Sequence, residues 1–212
     1  MKERAQTRQE ELANALTHGL GVLLCILAMP VVLTITFNQK DLTAFYGIVA
    51  FAVGVLLVYS SSTLYHFVQE KKIKNILKIA DHISIYFLIA GTYTPLMIKY
   101  LPTSTAFVFL TTMWCIVLFG TLFKFFFIHK FEWFSVILYL AMGWMIVFVI
   151  KPLIHNVPLT VFWWILGGGL SYTVGVYFYV KSHKPFYHAI WHVFVLLGTI
   201  LHFVAICKSI DK

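Results

Sequence analysis

Two histidines near the end of the sequence have the spacing of a metal-binding pair. His188 and His192 lie in an apolar stretch, residues 186–203, long enough to cross most of a membrane as a helix. Side chains at positions i and i+4 project from one helix face, so both imidazoles can reach one ion. Imidazoles are costly inside a membrane, which indicates a functional site. His202 follows ten residues after His192, about 15 Å deeper along the helix, and is excluded as a ligand of the same ion.

The composition identifies an all-α integral membrane protein. Of 212 residues, 60% are hydrophobic and 11% are charged, unlike a soluble domain. Seven apolar segments are each long enough to span the hydrocarbon layer as a helix, and together they predict a seven-transmembrane-helix bundle that forms a single domain over 1–212. The predicted spans are 16–37, 44–67, 79–98, 106–127, 134–150, 160–180 and 187–207.

The positive charges predict the orientation of this bundle. Eleven of the 16 Lys and Arg residues fall in one alternating set of connections, which the positive-inside rule assigns to the cytoplasm. The N-terminus is then cytoplasmic and the C-terminus is outside. The excess of Lys and Arg over Asp and Glu is explained by this orientation and by contact with membrane lipids. No nucleic-acid partner is therefore expected. We therefore expect a multi-pass protein of the cell membrane.

Further polar residues share the predicted depth of the histidine pair. His66 ends the second span, and Asp81 begins the third. Seven of the eight acids lie in termini or connections, which leaves Asp81 as the carboxylate near a membrane core. In this topology His66, Asp81, His188 and His192 all lie within about two turns of the cytoplasmic boundary. A simpler alternative is that Asp81 caps the helix or pairs with Lys78.

Three imidazoles with one open position form the ligand set of a catalytic zinc site. In this interpretation His66, His188 and His192 bind a zinc ion, and Asp81 holds a water molecule and accepts its proton. Ser62 lies one turn before His66 on the same helix face, where it can hydrogen-bond the water, the substrate oxygen or Asp81. Iron and manganese remain open, although nitrogen-rich ligation favours zinc.

A polar stripe on the first span lies at the same level. Glu11, Asn14 and His18 recur at i, i+3 and i+7, and they could donate or accept hydrogen bonds that orient the metal ligands. The alternative is an ordinary helix start at the lipid headgroups. His82 points roughly 100° away from Asp81 around its helix and is a weaker ligand candidate.

These motifs resemble those of the bacterial hemolysin III family, within the progestin and adipoQ receptor group that includes the adiponectin receptors. They cover essentially the whole chain in order: Glu11-x-x-Asn14-x-x-Thr17-His18-Gly19, Ser62-x-x-x-His66, Asp81, and His188-x-x-x-His192 with Gly198 and His202-Phe203. The resemblance implies a seven-helix bundle with a cytoplasmic-side zinc ion held by His66, His188 and His192. It also implies a water held by Asp81 near Ser62.

The same pattern is similar to that of alkaline ceramidases, which implies hydrolysis of a lipid amide. The chain lacks the long N-terminal region of the animal receptors, so no protein hormone is expected as a ligand. Three functions remain open: a zinc-dependent hydrolase of a lipid amide or ester, a membrane-active cytolysin, and a sensor or regulator of membrane lipid state with structural zinc. The helices show no stripe of charged residues that could line a pore, which argues against a dedicated toxin.

Overall fold

The computed structural model describes residues 4–127 and 131–210, and the regular structure of these residues is entirely helical. In chain order the helices are α1 (Arg8–Asn38), α2 (Leu42–Phe67), α3 (Lys71–Tyr100), α4 (Thr103–Phe127), α5 (Glu132–Gly143), a 3-10 helix (Met145–Val149), α6 (Ile150–Asn156), α7 (Leu159–Val180) and α8 (Tyr187–Ile210).

Six helical segments are long and apolar enough to cross a membrane. They are α1, α2, α4, α7, α8 and the combined stretch Glu132–Asn156. Large apolar side chains such as Leu27, Phe107 and Phe148 are exposed on their outer faces, as expected for surfaces that contact lipid. The protein is therefore an all-helical, multi-pass membrane protein.

Helix α3 is the least apolar of the long helices. It begins at Lys71 rather than at residue 79, because the Glu70 side chain caps it and accepts hydrogen bonds from the backbone N–H groups of Lys72 and Ile73. Its second half is buried against α2. An added Cβ at Gly54 would lie 2.6 Å from the Phe87 carbonyl oxygen, so the two backbones approach as closely as small residues allow.

The segment predicted as one span over 134–150 is interrupted. Helix α5 ends at Gly143 and is followed by the 3-10 helix and the short α6. The Gly143 carbonyl accepts a hydrogen bond from the Tyr93 hydroxyl of α3, so a side chain satisfies an acceptor that an α-helical N–H normally would. The Val147 N–H then bonds the Trp144 carbonyl, three residues back.

The helices enclose an elongated cavity. Helix α1 packs against α2 and α8, α2 against α3, α3 against α4 and α5, and α7 against α8. Between them lies a cavity of about 630 Å³ lined by residues of α1, α2, α3, α5, α7 and α8. One end of this cavity holds the predicted site residues, and the cavity continues past His202 to apolar residues such as Met97 and Phe162.

Candidate metal centre

Three imidazoles from two helices meet at one end of the cavity. His66 comes from the last turn of α2, and His188 and His192 come from the first two turns of α8. One ligand nitrogen from each residue lies within 4.8 Å of the other two. His66 and His192 are buried, whereas His188 is half-buried at the cavity wall. The i, i+4 pair on α8 thus meets a histidine from a helix over 100 residues away in sequence.

The first helix fixes the proton on His66. The Glu11 carboxylate lies 2.7 Å from Nδ1 of His66, and a carboxylate can only accept, so Nδ1 carries the proton. The lone pair is therefore on Nε2. That atom is buried and has no hydrogen-bond partner in the described part of the chain. A buried polar atom without a partner is costly, and a metal ion would satisfy it.

His192 is oriented in the same way. Its Nδ1 lies 3.2 Å from the backbone carbonyl oxygen of Asn14 and 3.4 Å from the Thr17 hydroxyl. Since a carbonyl oxygen only accepts, Nδ1 donates and Nε2 keeps the lone pair. Helix α1 thus holds one imidazole from α2 and one from α8 with the same nitrogen available. This is the usual arrangement around a metal ion, where the far ring nitrogen of each ligand is hydrogen-bonded.

These residues fit a metal ion by their chemistry and spacing. Three neutral imidazoles suit a borderline ion such as zinc, which binds nitrogen at ~2.0–2.1 Å. Nitrogens around a tetrahedral zinc are about 3.4 Å apart. One nitrogen from each of the three imidazoles lies within 4.8 Å of the other two, which is close to this spacing. The structure therefore contains a three-histidine cluster that can hold a metal ion.

Asp81 and Ser62 lie beside this cluster. The half-buried Asp81 carboxylate lines the cavity, interacts electrostatically with His66 and lies near the fully buried Ser62 hydroxyl. The Ser62 Oγ has no formed hydrogen bond among the described residues. The charge of Lys78 also acts on Asp81, and its ammonium lies 3.8 Å from the Glu132 carboxylate. Asp81 is thus influenced by the charge of Lys78 and also lies beside the cluster.

The predicted polar stripe of α1 faces the cluster. Glu11 contacts His66, Asn14 contacts His192, and the His18 ring stacks on the His192 ring with centroids 3.6 Å apart. Both ring nitrogens of His18 are buried without a partner in the described part of the chain. Glu11 also pairs with Lys74 of α3 at 2.9 Å. The stripe is therefore packed against the histidines rather than exposed as an ordinary helix start.

Two other histidines lie apart from the cluster. Nδ1 of His82 lies 2.7 Å from the Lys78 carbonyl oxygen, one turn earlier on its own helix. Nδ1 of His202 bonds the Gly198 carbonyl oxygen at 2.8 Å. Neither belongs to the group of side chains that could hold the ion.

The contacts of the N-terminal segment beside the site were not predicted from the sequence. Arg4 pairs with Glu10 and donates to the His183 carbonyl oxygen at 3.2 Å. The Glu10 carboxylate also accepts from the Phe186 backbone N–H at 2.9 Å. Residues 4–6 line the cavity, and Arg4 and Glu10 tie this segment to the connection before α8. Thr7 and Glu10 have the spacing of a capping box, which the structure forms, but this local signal does not indicate the contacts of Glu10 with Arg4 and Phe186.

Comparison with known proteins decides the family. A sequence model described as "Haemolysin-III related" matches residues 6–203 of the chain. The protein belongs to the haemolysin-III-related family. The match includes every residue of the three-histidine cluster together with Ser62 and Asp81, and with the apolar helices it establishes a multi-pass protein of the cell membrane.

Relatives of this haemolysin-III-related protein cover nearly the whole chain. "Hemolysin-3 homolog" of Bacillus subtilis (strain 168) is 42% identical over 200 residues, which is 94% of both chains. "Hemolysin-3" of Bacillus cereus is 37% identical over 206 residues, 97% of this chain and 94% of that protein. "Monocyte to macrophage differentiation factor" of Homo sapiens is 27% identical over 214 residues, with 97% and 87% coverage. No solved structure matches significantly.

Proposed function

We propose that this protein is a zinc-dependent hydrolase that cleaves an amide or ester bond of a membrane lipid. The observation that carries the proposal is the cluster of His66, His188 and His192 beside a carboxylate, at one end of a cavity with mostly apolar walls. Such a cavity suits an acyl chain. The end that holds the histidines and the carboxylate suits the amide or ester bond that is cleaved.

The proposed topology has seven spans, with α3 as the seventh membrane-crossing helix beside the six apolar segments. Its length of 30 residues is sufficient, and its four N-terminal lysines suit a cytoplasmic boundary. With the N-terminus in the cytoplasm, the cluster lies near the cytoplasmic leaflet. Lipid headgroups of that leaflet are then the substrates within reach.

Asp81 and Ser62 would carry the proton and hydrogen-bonding steps. A zinc ion, when bound, supplies Lewis acidity that lowers the pKa of an adjacent water toward ~7. The Asp81 carboxylate accepts a proton from the attacking water as its oxygen adds to the substrate carbonyl carbon. The C–N or C–O bond then breaks, and the protonated Asp81 returns the proton to the leaving amine or alcohol. The Ser62 hydroxyl is placed to donate a hydrogen bond beside Asp81.

Glu11 and Asn14 would affect the metal site indirectly, through the metal ligands His66 and His192. By accepting from Nδ1 of His66 and of His192, they keep each Nε2 unprotonated and each ring in place. The N-terminal segment at the mouth limits the entry of water from that side. A lipid would then enter between helices from the membrane.

The first test is the metal content of the purified protein in detergent. We expect close to one zinc per chain in the wild type and none in the variant that combines His188→Ala with His192→Ala. The matched control is His183→Ala, which removes an exposed imidazole in the connection before α8. A metal-free wild type purified without chelator would contradict the zinc site.

The second test is turnover of a panel of lipid amides and esters, including ceramides, by zinc-loaded protein. Asp81→Asn should retain zinc and lose hydrolysis by about 10²-fold or more, as expected for a general base. Equal turnover by wild type and Asp81→Asn for every substrate would rule out the proposed chemistry.

One feature favours a second candidate, a sensor in which the metal is structural. The cluster joins α2 to α8, so a bound ion would stabilise the bundle even without catalysis. In that case metal removal lowers stability and no substrate is turned over.

A cytolytic role, suggested by the name "Hemolysin-3" of a relative, is tested by lysis of red cells at low expression of wild type and of Asp81→Asn.

A further inference from the structure

A second group of polar side chains lies deeper in the cavity than the histidine cluster. His202 of α8 and Tyr172 of α7 line the cavity there, with their rings stacked at a centroid distance of 5.5 Å. His202 is ten residues beyond His192, about 15 Å along the helix. It is therefore too far from the cluster to share its ion.

The hydrogen bond of His202 defines which ring nitrogen faces the cavity. Nδ1 lies 2.8 Å from the Gly198 carbonyl oxygen, and only a protonated nitrogen can donate to a carbonyl. Nε2 therefore keeps its lone pair and makes no hydrogen bond to the described residues. Since His202 lines the cavity, Nε2 is a hydrogen-bond acceptor that the protein itself does not use.

The proton directions at Tyr172 also follow from its neighbours. The Thr199 hydroxyl donates to the Val195 carbonyl oxygen at 3.0 Å and has no second proton to give. With the Thr199 proton directed to Val195, the Tyr59 hydroxyl at 2.7 Å and the Tyr172 hydroxyl at 2.8 Å both donate to the Thr199 oxygen. The Tyr172 oxygen is left with a free lone pair, and Tyr172 lines the cavity whereas Tyr59 does not.

Two glycines make room for these rings. An added Cβ at Gly168 of α7 would lie 2.3 Å from the His202 ring, and one at Gly198 of α8 would lie 2.6 Å from the Tyr172 ring. Each ring thus sits on the glycine of the facing helix. The reciprocal arrangement holds both acceptors in fixed positions at the cavity wall.

Other polar groups near His202 donate their hydroxyl protons to backbone carbonyls. The Thr92 hydroxyl donates to the Leu88 carbonyl, and the Tyr93 hydroxyl donates to the Gly143 carbonyl. The cavity wall between His202 and the cluster includes Ile85 and Val195, and the wall beyond His202 includes Phe162 and Ile165. His202 and Tyr172 therefore form a polar level between apolar walls, and this level accepts hydrogen bonds but has no free donor among these residues.

We propose that Tyr172 and His202 form a second binding subsite, which accepts a hydrogen bond from a hydroxyl group on the acyl chain of the bound lipid. The proposal rests on the proposed function only in that an acyl chain enters the cavity; it does not require hydrolysis. A ketone at the same carbon has no proton to donate, so the subsite should distinguish a hydroxylated chain from an oxidised one.

The test measures equilibrium binding of three fatty acids to purified protein in detergent. They are stearic acid, hydroxystearic acid with the hydroxyl near the middle of the chain, and ketostearic acid with the ketone at the same carbon. We expect the hydroxylated acid to bind about fivefold more tightly than the other two, as one buried neutral hydrogen bond would give.

Two variants test whether His202 and Tyr172 cause the preference for the hydroxylated acid. His202→Phe keeps a planar ring against Gly168 but removes Nε2, and Tyr172→Phe keeps its ring but removes the oxygen. Each should reduce the ratio of the affinities for the hydroxylated acid and for stearic acid toward onefold. Tyr59→Phe loses the same type of bond to Thr199 away from the cavity wall, and it should keep the preference.

The possible outcomes separate this subsite from the hydrolase proposal. Equal binding of all three acids by the wild type, or a preference that persists in both His202→Phe and Tyr172→Phe, would overturn the subsite and leave the hydrolase proposal standing. Tight binding of ketostearic acid would show a response to polarity alone and would also overturn it. A preserved preference without turnover of any lipid supports the subsite and counts against hydrolysis only.

Discussion

The Glu11 carboxylate of α1 lies 2.7 Å from Nδ1 of His66 on α2, and it also pairs with Lys74 of α3 at 2.9 Å. This one side chain therefore connects three helices around a histidine whose other nitrogen is buried and has no hydrogen-bond partner among the described residues. Hydrogen-bonded carboxylates of this kind orient a metal ligand and raise its basicity.

Replacement of this carboxylate should weaken metal binding without removing a ligand. We expect Glu11→Gln to reduce zinc affinity by about 10–100-fold, the usual cost of losing such a partner. The measurement is competition with a chelator of known affinity. Glu70→Gln, which changes the exposed cap of α3, is the control. Equal affinity in Glu11→Gln and wild type would show that the contact does not tune His66.

Metal removal should lower the stability of the bundle. A ligand that binds only the folded protein adds about 2.7 kcal/mol at 100 times its Kd, and here the ion would join α2 to α8. The melting temperature in detergent should fall on addition of chelator and recover with zinc. The variant that combines His188→Ala with His192→Ala should melt at the same temperature with and without chelator. A chelator effect of wild-type size in that variant would contradict binding at the cluster.

The N-terminal segment should slow the exchange of metal from the aqueous side. Glu10→Gln removes the ion pair with Arg4 and weakens the contact with the Phe186 N–H. We expect chelator to extract zinc several-fold faster from Glu10→Gln than from wild type. Arg8→Gln removes an exposed charge from the same turn and serves as the control. An unchanged extraction rate in Glu10→Gln would show that this segment does not restrict access.

Packing between α7 and α8 should depend on one glycine and not on its neighbour. A Cβ at Gly168 would collide with the His202 ring at 2.3 Å, whereas one at Gly169 would meet nothing within 4 Å. Gly168→Ala should therefore destabilise the protein by about 1–3 kcal/mol through overpacking. Gly169→Ala should be neutral or stabilising by up to ~1 kcal/mol, because alanine favours helix. Denaturant unfolding in detergent measures both, and equal stability of the two variants would contradict this packing.

The sequence by itself determined the class of protein and the common face of two of the three clustered histidines. Apolar stretches long enough to span a membrane allow only helices there, because each backbone group must be satisfied within its own segment. The i, i+4 spacing of His188 and His192 likewise fixed their common face, because helix geometry is local. The motifs also predicted the family correctly.

Features that depend on how helices meet were decided by the tertiary structure. At the break after Gly143, the carbonyl of that residue accepts a hydrogen bond from a hydroxyl of α3, fifty residues earlier in the chain. Whether His66 reaches the α8 pair depends on the relative register of two helices, which no local periodicity encodes. The contacts of Glu11 and Asn14 with the cluster, and the unused lone pairs of Tyr172 and His202, depend on the same registers. Hydrogen bonds between distant segments are set by packing, so only the folded chain assigns their partners.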